Sequence, residues 1–158
     1  MKKLISLTVN GKVYEVAVSP NQTLVDFLRN ELDLIGTKKG CEVGDCGSCT
    51  VLMDGRPVNS CLVLAVQANG HEIQTIEGLE SPEGLHLIQK AFVEKGAIQC
   101  GFCTPGMILT AKSFLEKNPT PDREEIRKAI SGNLCRCTGY QKIVDAIEAA
   151  SVEMSRKG

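Results

Sequence analysis

The chain of 158 residues carries 18 Lys and Arg against 19 Asp and Glu, which gives a formal net charge of −1. Binding to nucleic acid or to an anionic membrane needs a clustered excess of cations, and neither the total nor any local run supplies one. Hydrophobic residues make up 42% and charged residues 23%, as in a globular protein, and no apolar run approaches the roughly 20 residues of a membrane-spanning helix.

The first apolar segment, residues 4–9, is interrupted by Ser6 and Thr8 and is not followed by a small-residue cleavage site. We therefore expect a strand there and not a signal peptide, and the predicted location is cytoplasmic. In a reducing compartment, cysteines are more often metal ligands than disulfides. The eight cysteines, beside two histidines and no tryptophan, are thus the candidate metal ligands.

The N-terminal elements begin with two runs of period 2 that flank Asn10-Gly11, a dipeptide suited to a type I′ turn. This pattern predicts a hairpin over residues 4–18. Thr23 is then expected to cap a helix, because apolar residues recur about every 3.6 positions after it, and Gly36 stands where a helix would end.

A loop rich in glycine and cysteine follows at 40–49. Two further strands are expected around Asp54-Gly55 and a last short strand near 73–76. These elements predict a small α+β domain at residues 1–78, with the segment 77–83 as a linker.

The second half, 79–158, has the period of helices and predicts a compact four-helix bundle. Thr138 has Gln141 three residues later, which is the spacing of a capping box, and the tail 155–158 is expected to fray. The predicted helix starts are Ser81-Pro82, Thr104-Pro105, Thr120 or Asp122, and Thr138.

The cysteines divide into two quartets along this boundary. The first has the spacing C-x4-C-x2-C plus a distant fourth cysteine, which is typical of a plant-type [2Fe–2S] site. Gly40, Gly44 and Gly47 would give its loop the backbone freedom to turn N–H groups towards sulfur. A structural zinc site and a set of core thiols are the alternatives. Its members are Cys41, Cys46, Cys49 and Cys61.

The second quartet has C-x2-C, then 31 residues, then C-x-C, and its spacing suits zinc as well as iron. Cys103 and Cys137 each precede a predicted helix start, so two helix N-termini would stabilise the anionic sulfur atoms. That arrangement would assist either metal. The members are Cys100, Cys103, Cys135 and Cys137.

Three segments carry a resemblance to a known family: GCEVGDCGSC at 40–49, QCGFCTPG at 99–106 and GNLCRCTGY at 132–140. They resemble the iron–sulfur subunit of the molybdenum hydroxylases, the family of xanthine dehydrogenase, aldehyde oxidoreductase and carbon monoxide dehydrogenase. The resemblance covers nearly the whole chain, and all eight cysteines stand at motif positions.

This resemblance implies an N-terminal plant-ferredoxin-like β-grasp domain and a C-terminal four-helix-bundle domain, each with one [2Fe–2S] cluster. It also implies that Gln99 lies against the molybdopterin of a partner subunit and that Cys137 combines iron ligation with proximity to it. The chain would relay single electrons between molybdopterin on a large subunit and FAD, or another acceptor, on a partner.

No dinucleotide, Walker or HExxH motif is present, so we expect catalytic residues on a partner subunit and none on this chain. Two other functions stay open: a free-standing two-cluster carrier and a structural zinc-binding adapter. Surface roles are expected for His71 and His86, and either a surface role or an effect on cluster charge for Lys38 and Lys39. Arg136 could bind a cofactor phosphate or a partner carboxylate, or bridge the bundle.

Overall fold

The first structural unit is a five-stranded sheet with the order β2-β1-β5-β3-β4. β1 pairs antiparallel with β2 and parallel with β5, and β3 pairs antiparallel with both β4 and β5. The computed structural model describes residues 1–158. The strands are β1 (Lys3–Val9), β2 (Lys12–Val18), β3 (Thr50–Met53), β4 (Arg56–Asn59) and β5 (Glu72–Gln74).

Both tight turns predicted between strands are confirmed. Asn10 and Gly11 have φ values of 50° and 78°, and Asp54 and Gly55 repeat these values between β3 and β4. Positive φ at both central residues is the requirement of a type I′ turn, which matches the right-handed twist of the strands it joins. The local sequence of each turn therefore determines the register of the two strands that it joins, β1 with β2 and β3 with β4.

Helix α1 (Leu24–Asn30) begins where the sequence predicts, because Thr23 accepts a hydrogen bond from Asp26 N. It ends at Asn30, however, and the predicted extension to Gly36 is wrong. Asp33 has a φ of 54°, which breaks the helix, and the Arg29 guanidinium donates to Ile35 O and to a second carbonyl. These bonds satisfy two carbonyl groups of the irregular segment that follows the helix.

The core of this unit lies between the sheet and α1. Strand β1 alternates buried and exposed residues, as expected for a sheet with one covered face. The 3₁₀ helix Ala65–Ala68 closes one end of this core. The largest buried side chains are Leu7, Leu24, Phe27, Leu28 and Ile73.

The second unit contains four helices, as the sequence predicts. Helices α2 and α5 pack against each other, and α3 packs against both α2 and α4. Their shared core includes Phe92, Met107, Ile126 and Ile147. The bounds are α2 (Leu87–Glu94), α3 (Thr104–Lys117), α4 (Arg123–Ala129) and α5 (Gln141–Lys157).

The helix ends show where local prediction succeeds. Helix α3 begins at Thr104 and is followed by Asn118, as predicted. Of the two candidate starts for α4, Asp122 is the cap: its carboxylate accepts from Glu125 N, and the Glu125 carboxylate accepts from Asp122 N.

Two other predicted starts are wrong. Ser81 does not begin α2; it forms a tight turn with Gly84, and His86 is the N-cap instead. Thr138 does not cap α5, whose N-cap is Tyr140 with a φ of 68° and no side-chain cap. The tail 155–158, which is expected to fray, is helical as far as Lys157.

The predicted linker is part of the packed structure. Residues Ile76–Leu79 form a 3₁₀ helix, and the Leu79 side chain is buried in the helical core. Leu52 of β3 belongs to the same core, and Ser113 of α3 donates to Gly55 O at 2.8 Å. The two units are therefore in direct contact. No helix has both the length and the hydropathy that would be needed to cross a bilayer.

The cap of α2 makes the stability of the chain depend on pH. His86 Nδ1 accepts a hydrogen bond from Ile88 N at 3.2 Å. Burial lowers the pKa of His86, with Lys112 lowering it further and Glu116 opposing this. Because the unfolded chain binds this proton more tightly, the free energy of unfolding decreases as pH falls through about 6.5.

We predict that His86→Asn, whose amide oxygen caps at any pH, removes this dependence. The melting temperature of the unchanged chain should fall more steeply between about pH 7.5 and about pH 5.5 than that of His86→Asn. Circular dichroism at 222 nm measures both. Parallel curves for the two proteins would contradict the role assigned to His86.

Candidate metal centres

The first cysteine quartet lies in the loop between α1 and β3, with Cys61 just after β4. The Cys41 sulfur accepts hydrogen bonds from three backbone N–H groups, those of Val43 (3.4 Å), Asp45 (3.2 Å) and Cys46 (3.3 Å). These N–H groups stabilise the thiolate and lower the pKa of Cys41 to about 6.

Backbone conformation explains this convergence of N–H groups. Glu42, Gly44 and Gly47 have φ values of 58°, 85° and 70°. Gly40 is needed for a different reason: a Cβ there would lie 2.7 Å from Ser48 Oγ and 2.8 Å from Cys46 Sγ. The predicted requirement for positive φ is confirmed at Gly44 and Gly47, whereas Gly40 permits a close approach.

The four thiols associate in two pairs. The Cys46 side chain helps to lower the pKa of Cys41, and the Cys49 side chain acts on the pKa of Cys61 more strongly than Cys41 does. Cys49 and Cys61 are buried, and burial raises the pKa of Cys61 to about 11, with Cys49 adding to the effect. A buried thiol of this kind needs a metal or another positive charge nearby to ionise.

The second quartet joins the N-terminal end of α3 to the segment before α5. It also forms two pairs, Cys100 with Cys137 and Cys103 with Cys135. The first pair is exposed, whereas the second is partly buried. This quartet therefore has one side open to solvent and one side facing the protein.

The two thiols of the partly buried pair, Cys103 and Cys135, have different environments. Burial raises the pKa of Cys103 to about 12. Burial also acts on Cys135, but hydrogen bonds from the hydroxyl and N–H of Thr138 outweigh it and lower the pKa of Cys135. At the exposed pair, the Cys100 side chain raises the pKa of Cys137.

One of the two helix N-termini predicted here is in place. Cys103 is the N-cap of α3, so the positive end of that helix adjoins its sulfur. Helix α5 begins only at Gln141, four positions after Cys137. The predicted contribution of a second helix end at Cys137 is therefore wrong.

The chemistry of the donors fits two-iron clusters. A [2Fe–2S] cluster takes four thiolates, two on each iron, and each quartet presents its thiols in twos. No group of three or more Cys, His, Asp or Glu has the arrangement to hold one metal ion. The hydroxyl of Thr104, next to Cys103, is buried and has no hydrogen-bond partner in the protein.

A direct contact joins the two cysteine loops. Leu134 N donates to Cys46 O at 2.9 Å, and the Asn133 amide donates to Gly47 O at 3.0 Å and to Thr50 Oγ1 at 3.3 Å. Asn133 is only 4% exposed. Asn133 lies within the motif that carries the resemblance, but its local sequence does not predict this role.

Other candidate residues lie at the surface. Gln99 is exposed beside Cys100, and Arg136 is exposed as well. Lys39 forms ion pairs with Asp26 at 2.7 Å and Glu42 at 2.8 Å.

The surface roles expected for the two histidines are only partly found. His71 binds the exposed Asp54 carboxylate, and His86 is the half-buried helix cap described above. Lys38 Nζ donates to Ile35 O at 2.9 Å.

Two family models match the chain. A 2Fe-2S iron–sulfur cluster binding domain matches residues 7–75, and a [2Fe-2S] binding domain matches residues 75–148. The small FeS subunit of nicotinate dehydrogenase from Eubacterium barkeri is 50% identical over 149 residues, covering 94% of this chain and 95% of the relative. The small subunit of nicotine 6-hydroxylase from Paenarthrobacter nicotinovorans is 51% identical, with coverages of 97% and 92%.

Solved structures are similar over the whole chain. Quinoline 2-oxidoreductase from Pseudomonas putida 86 has a chain with a TM-score of 0.95 and 53% identity, covering 99% of this chain and 98% of that one. Aldehyde oxidoreductase from Desulfovibrio gigas has a TM-score of 0.93 and 43% identity. The similarity covers 99% of this chain but only 18% of the aldehyde oxidoreductase chain.

The contact between the loops predicts that alanine substitution at two nearby glycines has unequal effects on stability. A Cβ at Gly106 would lie 2.4 Å from Gly47 O, an oxygen already held by Thr50 and Asn133, whereas a Cβ at Gly132 meets nothing within 4 Å. Gly106→Ala should therefore destabilise the chain by about 1–3 kcal/mol, as overpacking does. Gly132→Ala, the matched control, should change stability by less than about 0.5 kcal/mol. Urea denaturation measures both, and equal effects would contradict the tight contact.

Proposed function

This chain belongs to the family of small iron–sulfur subunits of molybdenum hydroxylases, and we propose that its eight cysteines hold two [2Fe–2S] clusters that relay single electrons. Within that family it is the electron-transfer subunit of a multi-subunit oxidoreductase. The electrons would pass between molybdopterin on a large subunit and FAD, or another acceptor, on a further subunit.

The thiol pairs support a division of ligands between the irons. In the first site, Cys41 and Cys46 would bind one iron, and Cys49 and Cys61 the other. In the second, the pairs would be Cys100 with Cys137 and Cys103 with Cys135. A bound [2Fe–2S] cluster takes up and releases one electron at a time.

The chain itself contributes the environment of each site. Three N–H groups on Cys41 stabilise negative charge on sulfur, and the burial of Cys49 and Cys61 keeps water from that side. The hydrogen bond from Leu134 N to Cys46 O is a short connection, because Leu134 is bonded directly to Cys135. Electronic coupling through bonds and a single hydrogen bond exceeds coupling through an open gap.

The exposed side of the second site and its connection to the first site support the order of the electron relay. Cys100, Cys137 and Gln99 are exposed together, while Cys135 is the member joined to the first site. We propose that the exposed side faces the molybdopterin of the large subunit, with Gln99 and Cys137 nearest to it. The FAD-binding partner would then receive electrons from the first site.

Two further predictions complete this proposal. We propose that the domains divide into residues 1–78 and 79–158, and that the complex is cytoplasmic.

The net charge of −1 favours a permanent subunit of a complex over a free-standing carrier. Carriers that dock by diffusion use a strong electric field to steer towards their partners.

Metal content tests the two sites separately. We expect about four iron atoms and about four sulfides per chain in anaerobically purified protein, with two EPR signals after dithionite reduction. Cys61→Ala and Cys135→Ala should each lose about half of the iron and a different one of the two signals. Zinc in place of iron in either site, or a single signal in the unchanged protein, would contradict the proposal.

A second test concerns Gln99 in the assembled complex. Gln99→Ala should keep both EPR signals but slow substrate-dependent reduction of the clusters on the order of tenfold, the effect of about 1.4 kcal/mol. The compounds named for the relatives, nicotinate, caffeine and an aldehyde, serve as trial substrates. Asn21→Ala, an exposed amide distant in sequence from the cysteines, is the control, and equal rates for the two variants would reject a role for Gln99.

A further inference from the structure

The hydroxyl of Thr138 lies 3.1 Å from the sulfur of Cys135. The sequence predicts a helix cap at this position, but α5 begins three residues later and has no side-chain cap. Thr138 Oγ1 instead accepts a hydrogen bond from Tyr140 N at 3.2 Å. The hydroxyl therefore serves the sulfur and the turn around it.

The direction of the bond to sulfur follows from its partners. A sulfur that ligates a metal has no proton and can only accept. Thr138 Oγ1 already accepts from Tyr140 N, which leaves the hydroxyl proton free to point at Cys135 Sγ. Tyr140 is held in turn, because its own hydroxyl accepts from Cys135 N at 2.8 Å.

This small network is maintained at a cost in local stability. Tyr140 has a φ of 68°, an unfavourable conformation for a residue other than glycine. Helix α5 also lacks the side-chain cap that Thr138 would have given it, a feature worth about 1 kcal/mol. Strain of this kind is found where the surrounding structure serves a function.

The first site has a counterpart to this contact. Ser48 Oγ lies 3.1 Å from Cys46 Sγ. Cys46 and Cys135 are the two ligands connected through Leu134 N and Cys46 O. Each site thus has a side-chain hydroxyl in contact with a ligand sulfur, and in both sites that ligand belongs to the connection through Leu134.

We propose that Thr138 is a positioning residue that raises the reduction potential of the second cluster by donating a hydrogen bond to Cys135, and that Ser48 acts on the first cluster alone through Cys46. This inference rests on the proposed ligation. Reduction adds one negative charge, and a donor to sulfur stabilises the more negative state more strongly. Removing the donor therefore lowers the potential.

The experiment is a redox titration of the purified complex, followed through the two EPR signals. Thr138→Val keeps the shape of the side chain and removes the hydroxyl. We expect the ratio of reduced to oxidised second cluster at a fixed potential to fall by up to about tenfold, which corresponds to about 59 mV for one electron. Thr138→Ser should restore the potential of the unchanged protein.

Ser48→Ala is the matched control, because it should shift only the other signal. A purely structural role for Thr138 would lower the melting temperature or iron content while leaving the midpoint potential unchanged. That result, with both signals present, would overturn this inference but not the proposed function. A single signal in the unchanged complex would instead overturn the proposed function.

If Thr138→Val fails to assemble its cluster, a second measurement can still overturn the inference. Deuterium exchange should shift an iron–sulfur stretching band of the second cluster in the unchanged protein and in Thr138→Ser, because the proton of the O–H···S bond is exchangeable. Resonance Raman spectra of Cys61→Ala, which isolate the second cluster, measure this shift. Its absence from both Cys61→Ala and the double variant Cys61→Ala/Thr138→Ser would overturn the inference.

Discussion

The contact between the two cysteine loops is the constraint on which the rest of the structure depends. Asn133 inserts a buried amide between Gly47 and Thr50, and Leu134 donates its N–H to the carbonyl of Cys46. Glycine is required on both sides because the backbones approach so closely. The separation of the proposed clusters would therefore be set by close backbone contacts and one buried amide and not by flexible surface side chains.

The two cores hold this contact in place. One core lies between the sheet and α1, and the other lies within the helices and includes Leu52 of β3. Each cysteine loop carries unfavourable conformations, such as positive φ at Glu42 and Tyr140. Buried apolar surface in both cores offsets these local costs, and it also prevents the two units from moving apart.

The second site has different surroundings on its two sides. Cys103 and Cys135 face the interior, whereas Cys100 and Cys137 remain exposed with Gln99. An exposed pair of ligands suits a site that is completed by a partner surface, as expected for a subunit of a larger complex. Thr138 acts on the partly buried side of this site, where a hydrogen bond has a greater effect than it would have in open solvent.

The sequence by itself determined the turns, the four helices of the second unit and the two cysteine quartets, because these depend on residues close together in the chain. Asn10-Gly11 and the Asp122 cap are examples, and the family followed from motif residues. Only the tertiary structure decided the helix ends at Asn30 and Gln141, the pairing of the thiols, and the role of Asn133. Thr138 shows the reason: its hydroxyl could cap a helix or bind a sulfur, and the three-dimensional position of Cys135 determines which partner it meets.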